Sequence, residues 1–574
     1  MRRAIVAITS LAVLLSKPAI VAAQSPPPTG VIVPSTPPID QTIPTPSQSP
    51  NLPPVAPSPT PSPNLETSPL PAPSLPPVPS GEGFLIKKIE IVGNPTVLQR
   101  EIAAFVKEFV KKYEGKEATF EDLLNLRASI TQLYISKGYI TSGAFLLNQS
   151  LDQGIVQIQV VEGTLEQIEL NGLTHLRESY VRSRLERATQ APLNRQRLEE
   201  ALLLLQRDPL IAQVNAELTA GKGPGLNRLR VTLQEASPWH IGFAIANDQP
   251  PSVGSTAGNV FASNDDLLGF GDRLTANYDK TEALNLYSFS YAVPFNPLNG
   301  TASISYGNNA SKIIEDPFQD LGIRSKTHTL SFNVRQPVQR SPSSEFALSL
   351  GLDLRHSQTF ILNDIPFSFS EGPDNGESKV SVIRFSQDWT NRSATRVLAA
   401  RSQFSLGINA FGATVNDTDT DGRFFSWLGQ FQWVQQVSPR VVLISRAAAQ
   451  LSPDSLLSLE RFSLGGIDTV RGYRQNQLVS DNGVVGSLEL RFPLTKNPNL
   501  LQLTPFIEVG GAWNNRGANP DPQTIASLGL GVHWLISPGF EARVNYGIPL
   551  VSVGGSGNSL QDNGIYFSLR YQPF

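Results

Sequence analysis

From residue 237 to the C-terminus, apolar side chains recur with a period of two. In 286–293, Tyr287, Phe289, Tyr291 and Val293 share one face, with Ser288, Ser290 and Ala292 on the other. In 346–355, Phe346, Leu348, Leu350, Leu352 and Leu354 alternate with Ala347, Ser349, Gly351, Asp353 and Arg355. Leu528, Leu530, Val532 and Trp534 repeat the pattern, and Ala542, Val544, Tyr546 and Ile548 stand against Glu541, Arg543 and Asn545. Successive side chains of a strand point to opposite faces, so each strand is greasy on one side and wet on the other. On this criterion 237–574 holds about sixteen strands. A soluble sandwich also alternates, but here the connections sort by parity. Tight ones such as Gly269–Asp272, Phe295–Asn299, Ser438-Pro439 and Ser537–Gly539 follow even-numbered strands. Long ones at 309–325, 357–378, 411–421, 452–483 and 549–562 follow odd-numbered strands. A transmembrane barrel has short turns at one end and long loops at the other. The expected fold class is therefore mainly β, an about sixteen-stranded transmembrane β-barrel.

Upstream the period changes. In 83–163 a strand pattern, Phe84–Gly93, precedes two helical ones. Ile102, Phe105, Val106 and Phe109 mark the first helix; Leu123, Leu126, Ile130, Leu133 and Tyr134 mark the second. Strands near Thr141–Leu147 and Gly154–Val161 follow Gly138. In 164–236 the order recurs: strand Leu165–Leu170, helices near Glu178–Ala188 and Arg195–Gln206, strands Ile211–Thr219 and Leu226–Leu233. Two β-α-α-β-β units in tandem, each a small α+β helix-on-sheet layer, are expected.

Arg2 and Arg3, the apolar run Ala4–Leu15 and the small residues Val21-Ala22-Ala23 make residues 1–23 a secretory signal peptide. Residues 24–82 carry nearly half of the 46 prolines. Proline fixes φ and supplies no amide donor, so this segment is expected to form neither helix nor sheet and to act as an extended tether. No later stretch is apolar for the ~18 residues that a transmembrane helix needs. Any membrane role must use strands.

Composition removes other classes. With 46 basic and 49 acidic residues there is no electrostatic case for nucleic acid. The absence of cysteine excludes a thiolate nucleophile and cysteine-ligated metals. The five histidines (His175, His240, His328, His356, His533) lie outside ligand spacing. Phosphate-loop, His-Glu-x-x-His and Gly-x-Ser-x-Gly motifs are missing. The chain is expected not to be an enzyme and to need no cofactor or metal. Asp417–Gly422 resembles the start of a calcium loop, but Leu428 stands where the closing Glu belongs, so an acidic outer loop is the favoured reading.

The sharpest signal lies in the longest connection, on the outer side: Val470, Arg471, Gly472 and Tyr473, preceded by Gly465-Gly466. On these residues alone, a solvated loop with one arginine is the alternative. A second stretch, Pro505–Gly511, places Phe506, Glu508 and Gly510 on the lumenal face if Ile507 and Val509 face lipid. A wall carboxylate could then hold the loop arginine. In a water-filled barrel the pair would be partly screened, fixing a loop more than supplying stability.

Tandem repeats, Val470-Arg471-Gly472-Tyr473 and the Phe-x-Glu-x-Gly strand resemble the two-partner-secretion transporters, the ShlB/FhaC/HecB-type hemolysin secretion/activation family. Lys137–Thr141, Gln149 and Val160–Gly163 of the first repeat add to the resemblance, which covers about residues 84–574. It implies two periplasmic POTRA domains, 83–163 and 164–236, before a pore at 237–574 in the cell outer membrane. The tether would also be periplasmic. It implies that the Arg471 loop folds into the pore to meet the wall acid, where members usually have Asp instead of Glu508. The implied partners are a secreted adhesin- or hemolysin-like exoprotein, exported unfolded without nucleotide hydrolysis, and the lipid of the outer membrane. A plug helix is not expected in the proline-rich 24–82. The C-terminal strand Ile565–Tyr571, ending at Phe574, resembles the signal of a client of the barrel-assembly machinery. The rivals are a barrel-assembly insertase of the same superfamily, which usually carries more repeats, and a passive porin, which needs none.

Overall fold

The computed structural model describes residues 64–67, 83–93, 103–147, 149, 153–417, 419–554 and 557–573. The predicted signal peptide, most of the tether, Ile102 and Phe574 lie outside them.

Between Pro63 and Pro69 every residue can donate a backbone hydrogen bond, and Asn64–Thr67 is a strand, β1. This corrects the expectation that 24–82 builds no sheet. Proline bars pairing only where it stands, and an open sheet edge accepts any stretch with free amides.

The first repeat is more elaborate than its pattern. Phe84–Gly93 breaks at Lys87 into β2 (Phe84–Ile86) and β3 (Lys88–Val92). A short β4 (Lys116–Ala118), which the helical periodicity hid, pairs with β2. Helix α1 (Ala103–Tyr113) precedes β4, and α2 (Phe120–Ser136) follows it. Thr119 and Asp122 close a capping box at the start of α2, satisfying two orphan donors reciprocally. Strands β5 (Gly143–Leu146) and β6 (Ile155–Val161) complete the sheet, with β3 parallel to β6. Leu123, Leu126, Ile130 and Tyr134 of α2 bury against Ile89, Val156 and Ile158.

In the second repeat β7 (Thr164–Asn171), α3 (Glu178–Ala188), α4 (Arg195–Gln206), β8 (Ile211–Ala220) and β9 (Leu226–Glu235) follow the expected order. The sheet runs β1-β8-β9-β7, with β1 parallel to β8 from Asn64↔Asn215 to Thr67↔Leu218. Leu185, Leu198 and Leu202 of the helices bury against Leu229 and Val231.

Sixteen antiparallel strands then close a barrel. They are β10 (Trp239–Ala246), β11 (Ala257–Asn264), β12 (Arg273–Lys280), β13 (Leu284–Pro294), β14 (Thr301–Lys312) and β15 (Arg324–Arg340). Next come β16 (Ser344–Ile361), β17 (Glu377–Arg392), β18 (Arg396–Gly407), β19 (Phe425–Gln436) and β20 (Val442–Leu451). The last are β21 (Asn482–Pro493), β22 (Leu501–Trp513), β23 (Thr524–Ser537), β24 (Phe540–Pro549) and β25 (Ile565–Tyr571). β10 pairs with β25 from Phe243↔Tyr571 to Ala246↔Ser568, leaving no unpaired edge in the ring. The alternation sorts as expected: Phe289, Leu350, Leu528 and Val544 are exposed on the outside, whereas Ala347, Ser349 and Arg355 are buried within.

Two loop boundaries move. β14 runs to Lys312 and β15 starts at Arg324, and β16 runs to Ile361, so these strands extend into the predicted 309–325 and 357–378 connections and shorten them. Their outer ends mix polar and apolar residues on the lipid face, as at Asn308, Ala310, Gln358 and Phe360, which hides strand periodicity without preventing pairing. Among the described residues no helix is long and apolar enough to cross a membrane.

The second repeat seats on the short-turn end. Arg177 lies over the Phe270 ring at 3.7 Å, and its backbone N–H donates to the Gly269 carbonyl at 2.9 Å. A His175 ring nitrogen meets the Asp266 carbonyl at 2.8 Å, and Arg184 donates to Asn299 at 2.5 Å.

Candidate functional site

The longest connection, 452–481, turns inward and fills part of the lumen. Its strands Phe462–Leu464 and Leu478–Ser480 pair as a hairpin. Phe462, Leu464, Val470, Tyr473 and Leu478 form an apolar cluster with Ala512 and Ile525 of the wall. Val470 is fully buried because Gly510 leaves room: a Cβ on Gly510 would stand 3.0 Å from Leu464 and 3.3 Å from Val470. Gly472 has φ +100°, a backbone state that side-chain-bearing residues rarely adopt. That turn aims Arg471 at the wall.

The structure brings Arg471 and Glu508 together. The Arg471 backbone N–H donates to Glu508 Oε2 at 2.6 Å, and its Nε and Nη2 donate to Oε1 at 2.9 and 2.6 Å. Nη1 donates to Glu489 and to Asn545 Oδ1, both at 3.1 Å. The guanidinium lies 3.4 Å from the centroid of the Phe506 ring, so Phe506 flanks the same cation. Tyr473 Oη reaches the carbonyls of Ala526 and Val551 at 2.8 and 3.0 Å. Thus Val470, Arg471, Gly472 and Tyr473 converge with Phe506, Glu508 and Gly510 on one spot.

The expected screening is corrected. The Arg471 and Glu508 side chains are 6% and 4% exposed, because the apolar cluster and the walls exclude water from the pair. A charge removed from water depends on its partner, so the contact carries weight in both directions.

Several participants escaped the sequence reading. Glu489 faces the lumen from β21 and also accepts from Arg491 at 3.1 Å. Tyr566 of β25 accepts from the Gly472 N–H at 2.9 Å and donates to the Tyr473 carbonyl. A second ion-pair cluster holds the same segment: Glu460 accepts from Arg355 at 3.0 Å and from Arg384 at 2.9 and 3.0 Å. Arg384 also pairs with Asp353. The polarity is reversed here, with the acid on the inserted segment and the bases on β16 and β17. Asp353 and Arg355 were legible as inward-facing; Glu460, the partner of Arg355 105 residues further along the chain, was not.

Asp421 holds Arg423 at 2.6 Å and Asp419 holds Arg516 at 2.8 Å, so both carboxylates are engaged by arginines. Among the described residues no group of three or more His, Asp or Glu could hold a metal ion.

Comparison with known proteins gives the following. Residues 225–534 match the family model of the haemolysin secretion/activation protein ShlB/FhaC/HecB, and 84–163 match the ShlB-type POTRA domain. The outer membrane transporter CdiB of Dickeya dadantii is 24% identical over 465 residues, 78% of this chain and 79% of that protein. The heme/hemopexin transporter protein HuxB of Haemophilus influenzae is 23% identical over 508 residues, 85% of this chain and 82% of that one. The structure of CdiB from Escherichia coli superposes with a TM-score of 0.64 at 22% identity, covering 88% of this chain and 94% of that one.

Proposed function

Because the chain belongs to the haemolysin secretion/activation family ShlB/FhaC/HecB, transporters of the outer membrane, we propose that it exports an unfolded secreted partner to the cell surface. The observation that carries this reading is the inserted segment 452–481, held in a closed barrel by buried ion pairs at Arg471 and Glu460. A seal of that kind suits a conduit that must open for a chain and close after it. A porin for small solutes would need neither the seal nor two repeats at its periplasmic mouth.

In this reading the repeats receive the partner. An extended chain adds readily to a sheet edge, and β8 of the second repeat offers one. β1 of the tether occupies that edge at rest, so an arriving strand competes with it. The chain carries no nucleotide-binding motif, so export draws on events outside, such as folding of the emerging partner.

Deleting residues 83–236 tests the reading: export of the secreted partner should stop while the barrel remains in the outer membrane. Export persisting in that deletion refutes the receptor role. Depletion separates the insertase rival, since loss of one secreted protein marks a transporter and loss of many barrels marks an insertase.

A further inference from the structure

At its long-loop end the outward face of the barrel carries its charge in one sector. Toward the long-loop end, the lipid-side positions of β12, β14, β15 and β17 hold Lys280, Lys312, Arg324, Lys326 and Lys379, with Glu377 as the one acid among them. Elsewhere the outermost lipid-side residues are uncharged, as at Ile245, Gly258, Leu406, Phe425, Leu451 and Ile548.

Registers stack these cations directly above the apolar band. Tyr306, Leu330 and Leu354 share the last apolar row. Above it comes the row Asn308, His328, His356 and Lys379, then Ala310, Lys326, Gln358 and Glu377, then Lys312, Arg324 and Phe360. Lipid-side residues on one strand repeat every ~6.6–6.8 Å, so the three rows cover roughly 13 Å along the strands. Glu377 pairs with Lys379 at 2.6 Å and Arg324 with the loop residue Asp364 at 3.1 Å. Among the described residues Lys280, Lys312 and Lys326 make no salt bridge, so the sector keeps a surplus of positive charge. Lys326 lies over the Phe360 ring at 5.8 Å, which holds its stem against the barrel.

We propose that this sector binds the phosphorylated headgroup of the outer-leaflet glycolipid, lipid A. Cations directly above the apolar band stand at headgroup depth, where anionic groups complement them and long stems reach the polar layer. The long-loop end lies opposite the periplasmic repeats, so this face meets the outer leaflet. Phosphates of a phospholipid lie in one plane, whereas three cationic rows at different heights match a headgroup bearing phosphates at two depths. The inference needs only the outer-membrane location and is independent of the export reading.

The full chain in phosphatidylcholine nanodiscs is titrated with bisphosphorylated lipid A, dephosphorylated lipid A and phosphatidylglycerol, and bound lipid is read by native mass spectrometry. Bisphosphorylated lipid A should bind tightest, and K312Q/K326Q/K379Q should weaken it by about tenfold or more. Arg396→Gln, at the opposite end of the lipid face, should leave it unchanged. Equal binding by the triple variant, by the dephosphorylated form or by phosphatidylglycerol overturns the proposal. If the triple variant fails to show the heat-modifiable mobility of a folded barrel, Lys326→Gln alone carries the test, with a smaller loss expected and an unchanged affinity decisive against it.

Discussion

Arg471 binds its partners as a planar fork, a geometry that charge alone does not supply. Its backbone N–H, Nε and Nη2 all reach one carboxylate, while Nη1 serves Glu489 and Asn545. Arg471→Ala leaves two buried carboxylates facing each other across an emptied site, and breaking such a pair costs about 3–5 kcal/mol. The expected outcome is an inserted barrel with faster amide exchange in 462–480 and a higher or noisier bilayer conductance. Wild-type exchange and conductance would return the motif to an ordinary loop. Arg471→Lys should behave in between, since an ammonium keeps the charge without the fork. Glu460 makes a separate prediction, because its cluster shares no side chain with that of Arg471. Glu460→Gln should raise conductance by itself, and combining it with Arg471→Ala should give more leakage than either change. If the double variant matches Arg471→Ala alone, Glu460 is no independent anchor.

At the scale of elements, hydrogen-bond supply decides more than composition. Asn64–Thr67 forms a strand inside a proline-rich tether because four consecutive residues keep their amides and β8 has a free side. The contact is short and flanked by prolines that cannot extend it, so it should be weak and exchangeable. Leu65→Pro removes a central donor and should raise amide exchange at Asn215–Leu218 several-fold, with the rest of the second repeat unchanged. Unaltered exchange there would mean that β1 does not protect the edge. Helices α3 and α4 were legible from their apolar spacing, and at α4 a cap supports it, where Asn194 accepts from the Gln196 and Arg197 N–H groups. β4 was not, since three residues between two helices carry no periodicity of their own.

For the whole molecule, the barrel was readable as a barrel because lipid and lumen impose opposite demands on alternate residues. Parity of loop lengths gave its orientation, with the tight turn 281–283 as an exception at the long-loop end. The pairing of Arg471 with Glu508 could be anticipated from one inward-facing acid and one loop arginine. What surrounds the pair could not. Glu489, Asn545 and Tyr566 come from three different strands, and Glu460 reaches Arg355 and Arg384 across the fold. The sequence by itself determined the period of each segment, and so which residues face lipid, core or lumen. Period is a local property, set by the geometry of one strand or helix. The tertiary structure alone decided how tightly the inserted segment packs, which charges it buries and how dry they are, because burial depends on neighbours that chain order does not reveal.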